Sequence, residues 1–134
     1  MLGQLGEQGG SLVMDNNLRG CPVSADDGAR VLSALLDQLS TGIQAYGIYH
    51  YCSSDSATYY EFAEALLASA SQFSDFGPGA VQLQRQPEGL LPLNRSLNCS
   101  KIRNTFAIKQ AHWRSAIPGN VKKYYEQRRQ QQKQ

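Results

Sequence analysis

The stretch LNRSLNCSKIRNTF, running from Leu93 to Phe106, sets Asn94, Arg95 and Asn98 close together just ahead of the apolar pair Ile102 and Phe106. Carboxamides donate and accept hydrogen bonds, and a guanidinium forks onto phosphate or carboxylate oxygens, so this loop has the chemistry to hold a polar ligand. The same residues also suit a loop that ends in a helix, with Asn98 or Ser100 as its cap. For Asn94 and Arg95, ligand contact and loop construction are both open. Tyr59 and Tyr60 are neighbours and therefore point to different sides of a helix, one into the core and the other toward any ligand crevice. His50, inside IYHYC, reads as a hydrogen-bonded histidine of a strand, since no second acid or base is paired with it, and His112 reads as a surface residue. Asp26 and Asp27 suit a helix N-terminus better than an acid/base pair. Cys21, Cys52 and Cys99 show neither CxxC nor CxxH spacing, which signals no zinc site and no disulfide framework and leaves reduced, packed thiols.

A chain of 134 residues with 41% apolar content and 18% charge supports one domain or a piece of one. No run of about 18 apolar residues is available to span a bilayer, and the N-terminus lacks the pattern of a secretory signal. The expectation is a soluble, cytoplasmic chain with no membrane partner. Lys122, Lys123, Arg128, Arg129 and Lys133 against Glu126 give the last 13 residues a formal +4, which with the net +2 leaves −2 on the body. A nucleic-acid binder carries its cations on the folded face that meets phosphate, so a basic, Gln-rich tail over 126–134 reads as a solvated helix end, and no nucleic-acid partner is expected. The folded portion is placed at 1–125.

The elements that must position these residues alternate. Met1 to Glu7 reads as a helix end stopped by Gly9 and Gly10, and Ser11 to Met14 as a short strand. DNNLRGCPVSADD reads as a loop, with Gly20 free in its dihedrals and Pro22 keeping Cys21 extended. Ser24 or Asp26 caps a helix whose Val31, Leu32, Leu35, Leu36 and Leu39 share one side. IYHYC reads as a strand. Thr58 and Glu61 have capping-box spacing, and Tyr59, Phe62, Ala63, Leu66, Leu67 and Ala70 then recur at helical intervals, which predicts a helix with one face on a sheet. Phe73 to Pro92 reads as a long irregular connection with a third strand only in AVQLQ. Trp113, Ile117, Val121, Tyr124 and Tyr125 mark a final helical region, broken or kinked at IPGN, with Trp113 as a core anchor. The class is α/β, or α+β for an isolated fragment, because three short strands make a poor sheet.

YGIYHYCSSDSATYYEFAEALL followed by LPLNRSLNCSKIRNTFAIKQAHWRSAI resembles the C-terminal part of the dTDP-4-dehydrorhamnose reductases, sugar-nucleotide members of the extended short-chain dehydrogenase/reductase superfamily. LVMDNNLRGCPVSADDGARVLSALL is similar to that family's strand, its loop carrying Gly-x-Pro-Thr, and the helix after it. The resemblance covers about nine-tenths of the chain, roughly Leu12 to Tyr125. It implies the C-terminal portion of a Rossmann-like NAD(P)-dependent enzyme, with few short strands and about four helices, which closes over a nucleotide sugar of the dTDP-sugar class. Pro92, Asn94, Leu97, Ser100 and Lys101 match the family's Arg-Pro-x-Asn-Ser-x-Leu-Asp-x-Ser-Lys pattern, while Asn98 stands in place of Asp and Leu91 in place of Arg. Gly20 and Pro22 match upstream, with Leu18 and Val23 replacing Gln and Thr. Gly20, Pro22, Asn94, Arg95, Asn98 and Tyr60 are the substrate-binding residues this implies.

Two family elements have no counterpart here. GEQGGS lacks the preceding strand of a cofactor-binding glycine turn, and no tyrosine has a lysine four positions later. The expectation is therefore a substrate-binding portion with no catalytic residue, cofactor site or metal site of its own, NAD(P) being implied for the full-length parent. The alternative is a non-catalytic module derived from that fold for self-association or protein interaction. A homo-oligomer, or docking with a missing N-terminal domain, is expected in either case.

Overall fold

The computed structural model describes residue 2 and residues 10–73, 81–85 and 93–132. Apart from Leu2, the helix end expected over Met1 to Glu7 lies outside the described residues, as do Gly9, Leu91, Pro92, Lys133 and most of the connection before Leu93. Five strands and four helices are described: β1 (Gly10–Met14), β2 (Leu18–Gly20), α1 (Ala25–Ser40), β3 (Ala57–Thr58), α2 (Tyr59–Ala70), β4 (Val81–Arg85), β5 (Leu93–Asn94), α3 (Ser100–Phe106) and α4 (Trp113–Gln131). The class is α/β, as expected. β1 and β4 form a parallel pair with Leu12 opposite Leu83, so the strands expected at Ser11 and in AVQLQ pair with each other. In the second sheet β2 is central, antiparallel to β3 and parallel to β5, so that Arg19 stands opposite Thr58 on one side and Asn94 on the other.

β2 lies where a loop was expected. The Asp15 carboxylate accepts the N–H groups of Asn17 and Leu18, at 2.6 and 2.9 Å, and so turns the chain out of β1. Those same donors, Leu18 first, hold the Asp15 carboxyl below its ordinary value. Leu18–Gly20 then becomes a strand because its backbone is paired on both sides, with no help from an alternating pattern.

Helix α1 starts as expected, the Ser24 hydroxyl accepting the N–H of Asp27 at 3.1 Å. Its apolar face is wider than the core it meets. Val31 is buried and Ala34 and Leu35 pack beside it, but Leu32 and Leu36, which share that side by spacing, are 63% and 66% exposed. Val31 belongs to a core with Cys52, Cys99, Ile102, Phe106 and Ile108. A second core joins Phe62, Leu66 and Ala70 of α2 to Trp113, Ile117 and Val121 of α4. The capping box of α2 is complete: Thr58 Oγ1 accepts the N–H of Glu61 and Glu61 Oε2 accepts the N–H of Thr58, at 3.1 and 2.9 Å. α2 also meets β1 and β4, the sheet contact expected of it.

Three further expectations are corrected. Among the described residues IYHYC joins no sheet. Tyr49 and Tyr51 pack against the first core while Ile48 and His50 are exposed and Cys52 is buried, so a strand-like alternation holds only from Ile48 to Tyr51, with no partner strand among the described residues. His50 itself makes no side-chain hydrogen bond among the described residues. Of the break or kink expected at IPGN, the break is corrected: α4 runs through Pro118; Pro118 removes one backbone donor, and the burial of Trp113, Ile117 and Val121 on one side of it holds the helix together. The cap position of α3 is Cys99, whose side chain makes no capping bond, while Asn98 Oδ1 accepts the N–H of Ser100 at 2.9 Å. The cysteines are free thiols, Cys52 and Cys99 buried with their sulfurs 3.7 Å apart.

Candidate functional site

The three-stranded sheet β3-β2-β5 creates the candidate site. Its pairing carries the residues after β2 and after β5 to one place, where a cavity of about 330 Å³ opens. Gly20, Cys21 and Pro22 form one wall, Thr58, Tyr59 and Phe62 of the β3–α2 junction another, and Arg19 and Arg95 add two guanidinium groups. The ladder that aligns the arginines continues past β5, the Arg95 N–H donating to the Arg19 carbonyl at 2.9 Å.

The two arginines are electrostatically unlike. Arg19 donates to Glu61 Oε2 at 3.1 Å, to the Ser56 carbonyl at 3.2 Å and to the Ser56 hydroxyl at 3.3 Å. Glu61 therefore caps α2 and neutralises Arg19 at once. Arg95 is exposed, and its guanidinium makes no hydrogen bond or ion pair among the described residues. The cavity thus presents one positioned, partly neutralised cation, one uncommitted cation and the ring surfaces of Tyr59 and Phe62. Such a set suits an anionic group attached to a flat or apolar body.

Of the sequence-predicted residues, Gly20, Pro22 and Arg95 meet at this cavity. Asn94 lies beside it without lining it, and its Oδ1 accepts the Ser96 N–H at 2.9 Å and the Ser96 hydroxyl at 2.6 Å. Its side chain shapes the turn that carries Arg95. Asn98 lines a different, polar cleft of about 620 Å³ beside Ser53, Ser54, Ser96 and Arg103. Tyr60 lines neither space; the Arg85 guanidinium sits 4.9 Å over its ring, and the tyrosine at the cavity is Tyr59, half exposed.

Arg19, Tyr59, Thr58 and Phe62 were missed as site residues. Arg19 carried one signal, the single cation of DNNLRGCPVSADD, but its placement depends on pairing with strands far away in sequence. Tyr59 and Tyr60 could be told apart only by knowing which side of α2 faces β2. Cys21 lines both cavities, and burial pushes its thiol up from the ordinary value, which leaves it a weak nucleophile near neutral pH. His112 Nε2 lies 2.8 Å from Asp55 Oδ2 at the surface, and His112 does not line the site cavity. Among the described residues no group of histidines, cysteines and carboxylates has the arrangement of a metal site, and no helix is long and apolar enough to cross a membrane.

The model of one protein family, described as the RmlD substrate binding domain, matches residues 1–126. No curated protein sequence matches the chain.

Proposed function

The chain belongs to the RmlD substrate-binding domain family, and on that premise we propose that it is the nucleotide-sugar-binding part of an NAD(P)-dependent, dTDP-4-dehydrorhamnose reductase-like enzyme. One observation carries the reading. The Gly20–Pro22 loop and Arg95, separated by more than half the chain, converge on a single cavity. There the free Arg95 guanidinium takes a diphosphate oxygen pair, and Tyr59 and Phe62 offer ring surface to the base or sugar. Leu91, where the family pattern has arginine, removes one phosphate clamp, and Arg95 supplies the charge from the neighbouring loop.

The cofactor belongs to the rest of such an enzyme. A dinucleotide needs a glycine turn after a strand and before a helix, so that backbone N–H groups and the helix N-terminus meet the pyrophosphate. Here Gly10 is the first residue of β1, and among the described residues β1 leads through Asp15 to β2 with no helix between. The described residues do not fit that group, and no tyrosine has a lysine four positions later to deliver a proton to a keto sugar. The role of this chain is to bind and orient substrate for chemistry supplied by residues outside it.

The test is a backbone amide titration of the chain with dTDP and separately with NADPH. Shifts at Gly20, Tyr59 and Arg95 with dTDP, and none there with NADPH, are expected. A well-dispersed spectrum that answers neither ligand, or answers both at the same residues, overturns the reading.

A further inference from the structure

All three cysteines of the chain meet at one place. Cys21 follows β2, Cys52 ends the IYHYC segment and Cys99 precedes α3, and each contributes to the wall of the polar cleft of about 620 Å³. Cys52 and Cys99 are 4% and 5% exposed, with their sulfurs 3.7 Å apart. That contact is held from several sides. Both sulfurs lie 3.6 Å from the Leu97 carbonyl, which accepts from either thiol, and the Cys52 N–H donates to the Cys99 sulfur at 3.3 Å. The backbones behind them are anchored as well. Gln110 Nε2 donates to the Cys52 and Ser53 carbonyls at 3.0 and 2.9 Å, and the Arg103 N–H donates to the Cys99 carbonyl at 3.2 Å in the first turn of α3.

Two sulfurs already in van der Waals contact reach bonding distance through side-chain torsions. A route to them is present too. The cleft they help to line is walled by Ser53, Ser54 and Asn98, hydroxyl and carboxamide groups that a small polar oxidant can follow inward. Cys21 is the more accessible thiol, half-buried against the same core, but its neighbours do not hold it face to face with a second sulfur as Leu97 holds Cys52 and Cys99.

We propose that Cys52 and Cys99 are a redox-active dithiol, closed to a disulfide by a peroxide that enters the polar cleft and reopened by a thiol reductant. With hydrogen peroxide, one sulfur of the pair takes an oxygen as the O–O bond breaks, leaving a sulfenic acid and one water. The other sulfur then attacks it. An S–S bond forms, the S–O bond breaks, and the oxygen leaves as a second water with the proton of the attacking thiol. Two electrons pass from the two thiols to each peroxide. Dithiothreitol reverses the step by exchange, its own two thiols becoming a disulfide as both protein thiols return. Neither Cys52 nor Cys99 lines the site cavity, so the proposal stands apart from the nucleotide-sugar reading.

The test is a hydrogen peroxide titration of the full folded chain, followed by alkylation of the remaining thiols, non-reducing digestion and mass mapping, with Cys21→Ser and Cys99→Ser alongside. The expected result is a chain lighter by two hydrogen atoms before alkylation, a linked pair of peptides carrying Cys52 and Cys99, and Cys21 alone alkylated. Dithiothreitol should restore all three thiols. C21S should form the same link and C99S should not, circular dichroism checking that both variants are folded. The map of the parent chain decides the question even where C99S fails to fold. Thiols that all stay free, a link from Cys21 to Cys52, or sulfinic acid at Cys52 or Cys99 in place of the link overturns the proposal.

Discussion

Arg95→Ala separates ligand contact from loop construction more cleanly than any other single change. The guanidinium has no intramolecular partner among the described residues, so its removal costs the fold nothing measurable, and the urea midpoint of R95A should match that of the parent chain. Its neighbour Arg19 spends its charge on Glu61 at 3.1 Å, which leaves Arg95 the principal cation for a diphosphate. Paired charge-assisted hydrogen bonds contribute about 1.5–3 kcal/mol, and at about 1.4 kcal/mol per decade that spans roughly 10-fold to 150-fold in affinity. Arg95 is exposed, so water and salt screen it and place the loss near the lower end, about tenfold. Calorimetric titration of R95A and R95K with dTDP, with thymidine as the uncharged control, measures this. R95A should weaken dTDP alone, and R95K should fall between, since an ammonium keeps the charge without the fork. Equal losses for dTDP and thymidine, or no loss for either, would refute the assignment of Arg95 to the phosphates.

Three further outcomes follow from the packing. Thr58→Ala removes the hydroxyl that accepts the Glu61 N–H and bonds Asn16; with Thr58 3% exposed, the loss of stability in urea titration should be about 1–2 kcal/mol, with an unchanged slope. Ala107 ends α3 at φ 55°, in the left-handed region that costs a residue with a Cβ. Ala107→Gly should therefore stabilise the chain by about 0.5–1 kcal/mol in the same assay. The Tyr51 hydroxyl donates to Asp27 at 2.6 Å and accepts from Arg30 and from the Ala111 N–H. Burial first, and the bond to Asp27 second, push its ionisation above the ordinary value of 10.0. A raised folded-state value gives stability that is complete below the unfolded-state value and is lost as the pH climbs through the folded one. Denaturation measured from neutral to strongly alkaline pH should accordingly show a loss of stability above about pH 10 that is reduced in Tyr51→Phe.

What the amino-acid order determined by itself was local. Thr58 and Glu61 lie within one turn of each other, so their capping box and the helix after it needed no distant partner. Ser24 ahead of α1 and the short apolar strands β1 and β4 were legible for the same reason. The six candidate site residues were legible as chemistry but not as a place. The sheet gathers Gly20, Pro22 and Arg95, leaves Asn94 to shape the turn, and sends Asn98 to another cleft and Tyr60 to Arg85.

Tertiary structure decided everything that depended on pairing across the chain. Leu18–Gly20 has no strand pattern and became a strand because neighbours on both sides bonded its backbone; Ile48 to Cys52 has the composition of a strand and is not one, with no strand beside it among the described residues. Leu32 and Leu36 share a side with Val31 by their spacing and are exposed, since spacing determines which residues share a face but not whether anything covers it. Arg19 and Tyr59 entered the site by the same route. A β-ladder is closed by residues distant in sequence, whereas a helix and its cap are closed within a few residues, and that difference in range separates what one chain of letters states from what only the folded molecule can.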